Sequence, residues 1–148
     1  MARGDKKVYS VRPSKLPLWK PGSWPFVFAL LRAGIRTANH VPGVESFGDG
    51  ELLDLPGRPR AIHTPGHTAG HACFHAERSG ALFSGDALVT MNVTGGRRGP
   101  QMLGPQFHRD EAQARRSLQL LAPLSSKFVL PGHGHPFRGS ASAAIAMM

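Results

Sequence analysis

From residue 61 onwards the chain alternates short apolar runs with turn residues, a pattern typical of short strands joined by tight connections. Ala61 to Thr64 predicts a strand. The runs His71 to Ala76 and Ala81 to Ser84 are separated by Glu77-Arg78-Ser79-Gly80, which predicts a hairpin. Lys127 to Leu130 predicts a last strand.

A second hairpin is predicted upstream of these strands. Val44 to Phe47 and Leu52 to Leu55 flank Gly48-Asp49-Gly50, a turn signal between two apolar segments. Residues 94–105 are rich in glycine and basic, and this composition predicts a loop.

One helix is well signalled after that loop. Asp110 is suited to cap its first turn, and Gln113 follows three residues later. Apolar residues then recur at i, i+4 and i+7: Ala114, Leu118 and Leu121. Shorter helical segments are predicted at 26–32 and 140–148. Strands and helices are thus both predicted within one short chain.

The length of 148 residues suits one domain. Residues 6–25 are polar, basic and interrupted by proline, which blocks helix interiors and central strands. We therefore predict an irregular arm over 1–42 and the folded domain over 43–148.

The charge balance is strongly basic, with 18 Lys and Arg against 9 Asp and Glu and a net charge of +9. The basic residues are scattered, and aromatic residues make up only 7% of the chain. A single-strand nucleic-acid surface interleaves the two kinds of residue. The pattern favours a solvated basic surface and argues against nucleic acid as a partner.

Membrane and secretory signals are also missing from the sequence. The longest uncharged apolar stretch, Trp24 to Leu31, is far shorter than the roughly 20 residues that span a bilayer. The N-terminus carries charge without an apolar segment behind it, so it does not read as a secretory signal. The single cysteine, Cys73, excludes an internal disulfide and is interpreted as a small buried apolar residue. We expect a cytoplasmic protein with no membrane partner.

Four histidines recur at every fourth position: His63, His67, His71 and His75. A helix would align them on one face, as in helical zinc proteases. Pro65 and Gly66 oppose such a helix, because proline removes a hydrogen bond and glycine disfavours helical backbone. The cluster is therefore predicted to lie on a strand, a loop and a second strand.

Three times a short apolar run ends in a glycine followed by a metal-type ligand: Gly66-His67, Gly85-Asp86 and Gly132-His133. Neutral imidazoles, together with a carboxylate whose two oxygens can bridge two cations, suit a hydrolytic metal site. The alternatives are that Asp86 caps the residues after it and that His135 takes the place of His133.

The segments His63 to His71, Phe83 to Asp86 and Leu130 to Gly134 resemble the later motifs of the metallo-beta-lactamase superfamily. They are most similar to the hydroxyacylglutathione hydrolase (glyoxalase II) type. The resemblance covers about Gly43 to Phe137 and implies an αββα sandwich, of which this α/β chain would form the C-terminal half.

The resemblance also implies roles for particular residues. His67 would be a ligand of a first metal, Asp86 the bridging ligand and catalytic carboxylate, and His133 a ligand of the second metal. The cofactor would be one or two Zn²⁺, with iron or manganese as alternatives. His63 and His71 are expected to support the ligands by hydrogen bonding around the loop, whereas His75 and His108 are interpreted as ordinary.

The implied activity is metal-dependent hydrolysis, in which metal-bound hydroxide attacks an ester, thioester or amide of a small-molecule substrate. The family's upstream His-x-His-x-Asp-His motif is absent, since His40 is the only histidine before His63. We expect the chain to begin after the point where that motif would lie. Two cations would then share three ligands, fewer than a catalytic zinc site uses. The alternative is a truncated, non-catalytic remnant or binding module of the same fold.

Half a sandwich would leave one apolar sheet face without its partner sheet. We therefore expect the chain to be marginally stable, prone to aggregation, or rescued by self-association through that face.

Overall fold

The computed structural model describes residues 45–92 and 96–148, together with Trp24, Phe28 and Arg32. The chain divides into two units, Ala2–Ser46 and Phe47–Met148. The predicted arm over 1–42 lies outside the described residues except at Trp24, Phe28 and Arg32, which have helical backbone.

The second unit is built from short strands and two short helices. The strands are β1 (Arg60–His63), β2 (Ala72–Ala76), β3 (Ala81–Gly85), β4 (Val89–Met91), β5 (Arg98–Gln101), β6 (Phe128–Pro131) and β7 (Phe137–Arg138). The helices are α1 (Glu111–Gln119) and α2 (Ala141–Ala146), and a 3₁₀ turn spans Pro105–Phe107.

Five of the strands form one sheet in the order β1-β2-β3-β6-β7. β3 and β6 are parallel, and the other neighbours are antiparallel. A parallel pair requires a long crossover. The chain between β3 and β6 supplies it and carries the separate β4–β5 pair and α1.

Most predicted elements are confirmed. β1, the β2–β3 hairpin and β6 lie within one residue of their predicted positions. α1 begins after Asp110, whose side chain accepts a hydrogen bond from the Gln113 backbone N–H at 2.9 Å. The three apolar residues of its predicted inner face are all buried: Ala114, Leu118 and Leu121.

The predicted hairpin over 44–55 is wrong for the described residues from Glu45 onwards. The turn at Gly48–Gly50 directs the chain along the edge of β1, where the Gly50 N–H donates to the Ala61 carbonyl at 2.8 Å and Leu52 forms a bridge with Arg60. The apolar residues after the turn therefore pair with a neighbouring strand that already belongs to the sheet.

The loop predicted over 94–105 is also wrong in part, because β5 lies within it and the 3₁₀ turn begins at its last residue. β5 has no apolar alternation to signal a strand. Its extended backbone is held by antiparallel pairing with β4, in which Val89 faces Gln101.

The core lies between one face of the sheet and the two helices. Leu82 of β3 and Val129 of β6 are fully buried there, next to Leu118 and Leu121 at α1 and Ala144 of α2. This packing rigidly supports the ends of β3 and β6. No helix in the described part of the chain is long and apolar enough to cross a membrane.

The opposite face of the sheet carries aromatic side chains. Phe83 of β3 faces Phe74 of β2, and Phe128 of β6 lies beside Ala81, two residues from Phe83 along β3. Phe83 and Phe128 remain 44% and 37% exposed. The described helices thus cover one sheet face and leave the other partly open, as expected of one half of an αββα sandwich.

Candidate metal centre

Three predicted ligands converge at one edge of the sheet. Gly85 of β3 pairs with Pro131 of β6, and because these strands are parallel, the residues that follow both of them emerge at the same edge. Asp86 Oδ2 lies 3.2 Å from His67 Nε2, and Asp86 Oδ1 lies 3.4 Å from His133 Nε2. The carboxylate therefore stands between the two imidazoles, with one oxygen facing each.

Two of the glycines that precede these residues are required by close contacts. A Cβ at Gly132 would lie 2.7 Å from Asp86 Oδ1. A Cβ at Gly66 would collide with the backbone of Ala114 in α1, and Gly66 has a φ of +132°, which side chains rarely adopt. The recurring glycine before a ligand therefore allows the site to close.

The loop that carries His67 is tied to the start of α1. The Asp110 N–H donates to the Gly66 carbonyl at 2.9 Å, and the Arg109 N–H donates to the His67 carbonyl at 3.1 Å. The Ser117 hydroxyl donates to the Pro65 carbonyl at 2.7 Å. These bonds fix the backbone of His67 independently of any ligand.

The loop that carries His133 is tied to β3 and β4. The Gly132 N–H donates to the Gly85 carbonyl at 2.9 Å, and the Thr90 N–H donates to the His133 carbonyl at 3.0 Å. The Thr90 hydroxyl donates to the carbonyl of His135 at 2.6 Å. The side chain that faces the carboxylate is that of His133, and the exposed His135 contributes its backbone.

His63 and His71 make hydrogen bonds around this loop. His63 Nε2 donates to the Ala69 carbonyl at 2.9 Å. His71 Nε2 accepts the Asp86 backbone N–H at 3.1 Å, and His71 Nδ1 lies 2.8 Å from the Thr64 hydroxyl. His71 is therefore directly attached to the residue that carries the carboxylate.

Burial controls the charge of the two inner histidines. Desolvation lowers the pKa of His67 below 6.5, against the opposing attraction of Asp86, and the neighbouring His108 and His133 lower it further. Desolvation and the proximity of His67 likewise lower the pKa of His71. Both imidazoles are therefore held neutral near pH 7, and for His67 this is the form in which histidine binds a metal.

His108, interpreted as ordinary, lies against the site. Its ring is edge-on to that of His67 with centroids 5.8 Å apart, and its Nε2 donates to the Leu103 carbonyl at 3.0 Å. Among the described residues, Nδ1 of His67 and Nδ1 of His108 are both buried without a hydrogen-bond partner. No sequence signal places His108 there, because its position depends on how the crossover packs.

The three side chains fit part of a metal site. Two ligands of a tetrahedral zinc ion with bonds of about 2.0–2.2 Å lie about 3.3 Å apart, and the two N···O distances are 3.2 and 3.4 Å. Each His–Asp pair therefore matches one edge of a coordination tetrahedron. Within 45–92 and 96–148, no group of three or more His, Cys, Asp or Glu is arranged to hold one ion. The described residues thus bring together pairs of such side chains, His67 with Asp86 and Asp86 with His133, and no larger group.

An open pocket of about 390 Å³ lies beside the His67 loop. It is lined by backbone and side chains of the loop and of the start of α1: Gly66, Thr68, Ala69, Arg109, Asp110 and Gln113. The side chains that line the pocket near α1 are polar or charged, so the surface next to the candidate centre is hydrophilic.

The fold and the site both indicate the metallo-beta-lactamase fold, and the comparison of sequences identifies the family. Residues 2–133 match the profile of the metallo-beta-lactamase superfamily. The chain belongs to this superfamily. The match begins well before Gly43, so it includes most of the segment predicted to be an arm.

Curated relatives include hydrolases and thioesterases. The chain is similar to hydroxyacylglutathione hydrolases of Rhizobium meliloti (39% identity, 36% of this chain, 22% of the relative) and Tolumonas auensis (35%, 68% and 36%). It is also similar to atrochrysone carboxyl ACP thioesterase of Aspergillus fumigatus (28%, 76% and 34%). The chain thus spans between about a fifth and a third of these relatives' length.

Solved structures give the same fold. A metallo-beta-lactamase family protein from Thermus thermophilus superposes with a TM-score of 0.56 at 28% identity, over 84% of this chain and 42% of that one. A beta-lactamase domain protein from Burkholderia ambifaria gives a TM-score of 0.56 at 21% identity, over 86% and 42%. The described unit therefore corresponds to part of a larger metallo-beta-lactamase fold.

Proposed function

We propose that the chain carries one half of a metal-dependent hydrolase site that cleaves an ester, thioester or amide of a small molecule. The observation that supports this most directly is the Asp86 carboxylate, whose two oxygens face His67 and His133 at 3.2 and 3.4 Å. A carboxylate between two imidazoles is an arrangement that suits two adjacent divalent cations.

In this proposal each residue has a separate task. His67 and Asp86 would hold one cation, and Asp86 and His133 would hold the other. Burial keeps His67 neutral, so that its nitrogen is able to coordinate near pH 7. The backbone hydrogen bonds of both loops hold the imidazoles apart at the spacing that the carboxylate spans.

Divalent cations bound there would lower the pKa of a water molecule and polarise the scissile carbonyl. The donor set of imidazole and carboxylate suits zinc and also iron or manganese. The names of the relatives favour a thioester among the three bond types, because they include thioesterases. A cytoplasmic location is part of the proposal and is supported by the single, buried cysteine.

The second candidate function is a remnant or binding module of the same fold that does not turn over substrate. The observation that favours it is the number of ligands, since the described residues offer two side chains to each ion and a catalytic zinc site uses three.

Metal titration combined with an activity assay separates the two functions. The full chain, stripped with a chelator, is titrated with zinc, iron(II) or manganese(II), and each loaded form is assayed with a small acyl thioester and with the matching ester and amide. The variants are Asp86→Asn, which keeps the shape of the side chain but removes its charge, and His135→Gln as the control for an exposed histidine two residues from His133.

We expect metal binding and hydrolysis that Asp86→Asn abolishes and His135→Gln leaves unchanged. Metal binding without hydrolysis of any probe would favour the binding module. No binding at micromolar metal would contradict hydrolysis by this chain alone.

A further inference from the structure

Behind Asp86 a continuous chain of hydrogen bonds runs into the core. The Asp86 N–H donates to His71 Nε2 at 3.1 Å, and His71 Nδ1 lies 2.8 Å from the Thr64 hydroxyl. That hydroxyl lies 3.3 Å from Cys73 Sγ, and the thiol donates to the Ser84 carbonyl at 3.3 Å. We name these four links the Asp86 relay.

The donor and the acceptor of every hydrogen bond in the relay follow from the groups at its two ends, the Ser84 carbonyl and the Asp86 N–H. The Ser84 carbonyl can only accept, so the Cys73 thiol uses its one proton there, and the Thr64 hydroxyl must donate to the sulfur. That hydroxyl has no second proton, so it accepts from His71 Nδ1–H. The Nε2 lone pair of His71 is then free to accept the Asp86 N–H, which can only donate.

We propose that Thr64 and Cys73 are positioning residues of the candidate centre, because they hold His71 in the Nδ1–H tautomer and His71 in turn holds the backbone of Asp86. The proposal rests on the proposed function for the role of Asp86. The hydrogen-bond relay itself is independent of any metal.

The burial and close packing of the relay residues support their role in positioning His71 and Asp86. Thr64 is 1% exposed, and Cys73 and Ser84 are fully buried. A Cβ at Gly85 would lie 2.8 Å from His71 Nε2, so the ring is seated directly against the chain that leads to Asp86. The links among Thr64, Cys73 and Ser84 are thus shielded from water, and a broken link there leaves a buried polar group unpaired.

The relay also excludes one role for His71. Its Nε2 lone pair is occupied by the Asp86 N–H and its Nδ1 carries a proton, so neither nitrogen is available to a metal. His71 therefore acts on the centre through Asp86 and not as a ligand.

The first test is histidine nitrogen NMR on the metal-free full chain labelled with ¹⁵N. We expect His71 as the Nδ1–H tautomer and a slowly exchanging Asp86 amide. Thr64→Val, which keeps the shape but removes the hydroxyl, should give a mixed tautomer and faster exchange at Asp86 by about tenfold, the loss of one buried hydrogen bond. Thr64→Ser is the matched control that keeps the hydroxyl and the wild-type signals.

The second pair of variants acts at Cys73, two links away from His71 and three from Asp86. Cys73→Ala removes the acceptor of the Thr64 hydroxyl, and Cys73→Ser restores both a donor and an acceptor. We expect Cys73→Ala to perturb the nitrogen signals of His71, although it does not touch that ring, and Cys73→Ser to preserve them. This pair keeps the test decisive if Thr64→Val does not fold.

Zinc affinity gives the readout at the centre. Loss of a hydrogen-bonding partner behind a ligand typically weakens metal binding 10–100-fold, so Thr64→Val and Cys73→Ala should bind zinc at least about tenfold more weakly than their Ser counterparts. A wild-type protein that binds no zinc would contradict the proposed function, whereas the NMR result would still decide the relay. The relay is overturned if wild-type His71 is the Nε2–H tautomer, or if Thr64→Val and Cys73→Ala both leave its signals and the Asp86 exchange unchanged.

Discussion

Gly132 lies against the carboxylate of Asp86, with space for a hydrogen atom and none for a methyl group. A Cβ built at position 132 would lie 2.7 Å from Asp86 Oδ1 and 3.2 Å from the backbone carbonyl of Gly85. Because Oδ1 also faces His133 at 3.4 Å, the absence of a side chain at 132 sets where one half of the carboxylate sits.

Gly132→Ala is therefore expected to displace the carboxylate while the fold survives, because the side chain of Asp86 can rotate away more easily than the backbone can move. Zinc affinity should fall about tenfold or more, measured by calorimetric titration of the stripped protein. Gly48→Ala is the control, since a Cβ there would make an ordinary contact with Glu51 at 3.5 Å. Wild-type zinc affinity in Gly132→Ala would show that the carboxylate does not depend on this contact.

Gly66→Ala is expected to act on stability instead. The added methyl group would collide with the backbone of α1 at Ala114, and the φ of +132° is strained for any side chain. Overpacking and backbone strain together should lower the free energy of unfolding by about 2–3 kcal/mol. Urea denaturation of Gly66→Ala beside Gly48→Ala measures the difference. Equal midpoints for the two variants would contradict the close packing of the loop on α1.

Cys73 predicts a loss of stability in alkali. Burial raises the pKa of its thiol from 9.0 to about 11, so between these pH values the unfolded chain releases a proton that the folded chain retains. Stability is therefore fully present below about pH 9 and declines as pH rises towards 11, by about 2–3 kcal/mol in total.

The measurement for Cys73 is the free energy of unfolding at pH 8.5 and pH 10.5, compared with that of Cys73→Ser, which has no titrating thiol. The wild type should lose more stability than the variant across this interval. Native protein should also resist alkylation by iodoacetamide until it is unfolded. Rapid alkylation of the folded chain at neutral pH would rule out the buried thiol.

The open sheet face predicts self-association. Phe83 and Phe128 are 44% and 37% exposed on one face, and burial of this surface against a second copy would remove apolar area from water. We expect sedimentation to show concentration-dependent association, and the double variant Phe83→Thr, Phe128→Thr to reduce it. Leu120→Thr, at a residue 52% exposed, is the control for removing an exposed apolar side chain elsewhere.

For the wild type, the thermal midpoint should rise with protein concentration, because association stabilises the folded form by mass action. A sharp transition of a monomer that does not depend on concentration would contradict the prediction.

The sequence predicts those features whose signals are local. The cap at Asp110 and the apolar spacing of α1 predict the start and the buried face of that helix, because caps and helical periodicity act within a few turns of one segment. The three glycine–ligand pairs are equally local, and they identify His67, Asp86 and His133 before any contact between them is known. The family resemblance depends on the same short motifs.

Features that depend on contacts between segments far apart in the sequence could be identified only from the tertiary structure. β5 has no strand pattern of its own and is extended because β4 pairs with it. His108 reaches His67 only because the crossover after β5 folds back over the first loop. Local residue preferences carry no information about such pairings, since the stabilising partner lies elsewhere in the chain.

Cys73 shows most clearly which features the sequence determines and which depend on the tertiary structure. Its residue type and its place in an apolar run are enough to predict burial, and the side chain is fully buried. Its hydrogen bonds to Thr64 and to the Ser84 carbonyl join β2 to the loop after β1 and to β3, and through His71 they reach Asp86. Burial follows from hydrophobicity, which each residue carries with it, whereas the direction of a hydrogen bond is fixed only when folding brings a particular donor to a particular acceptor.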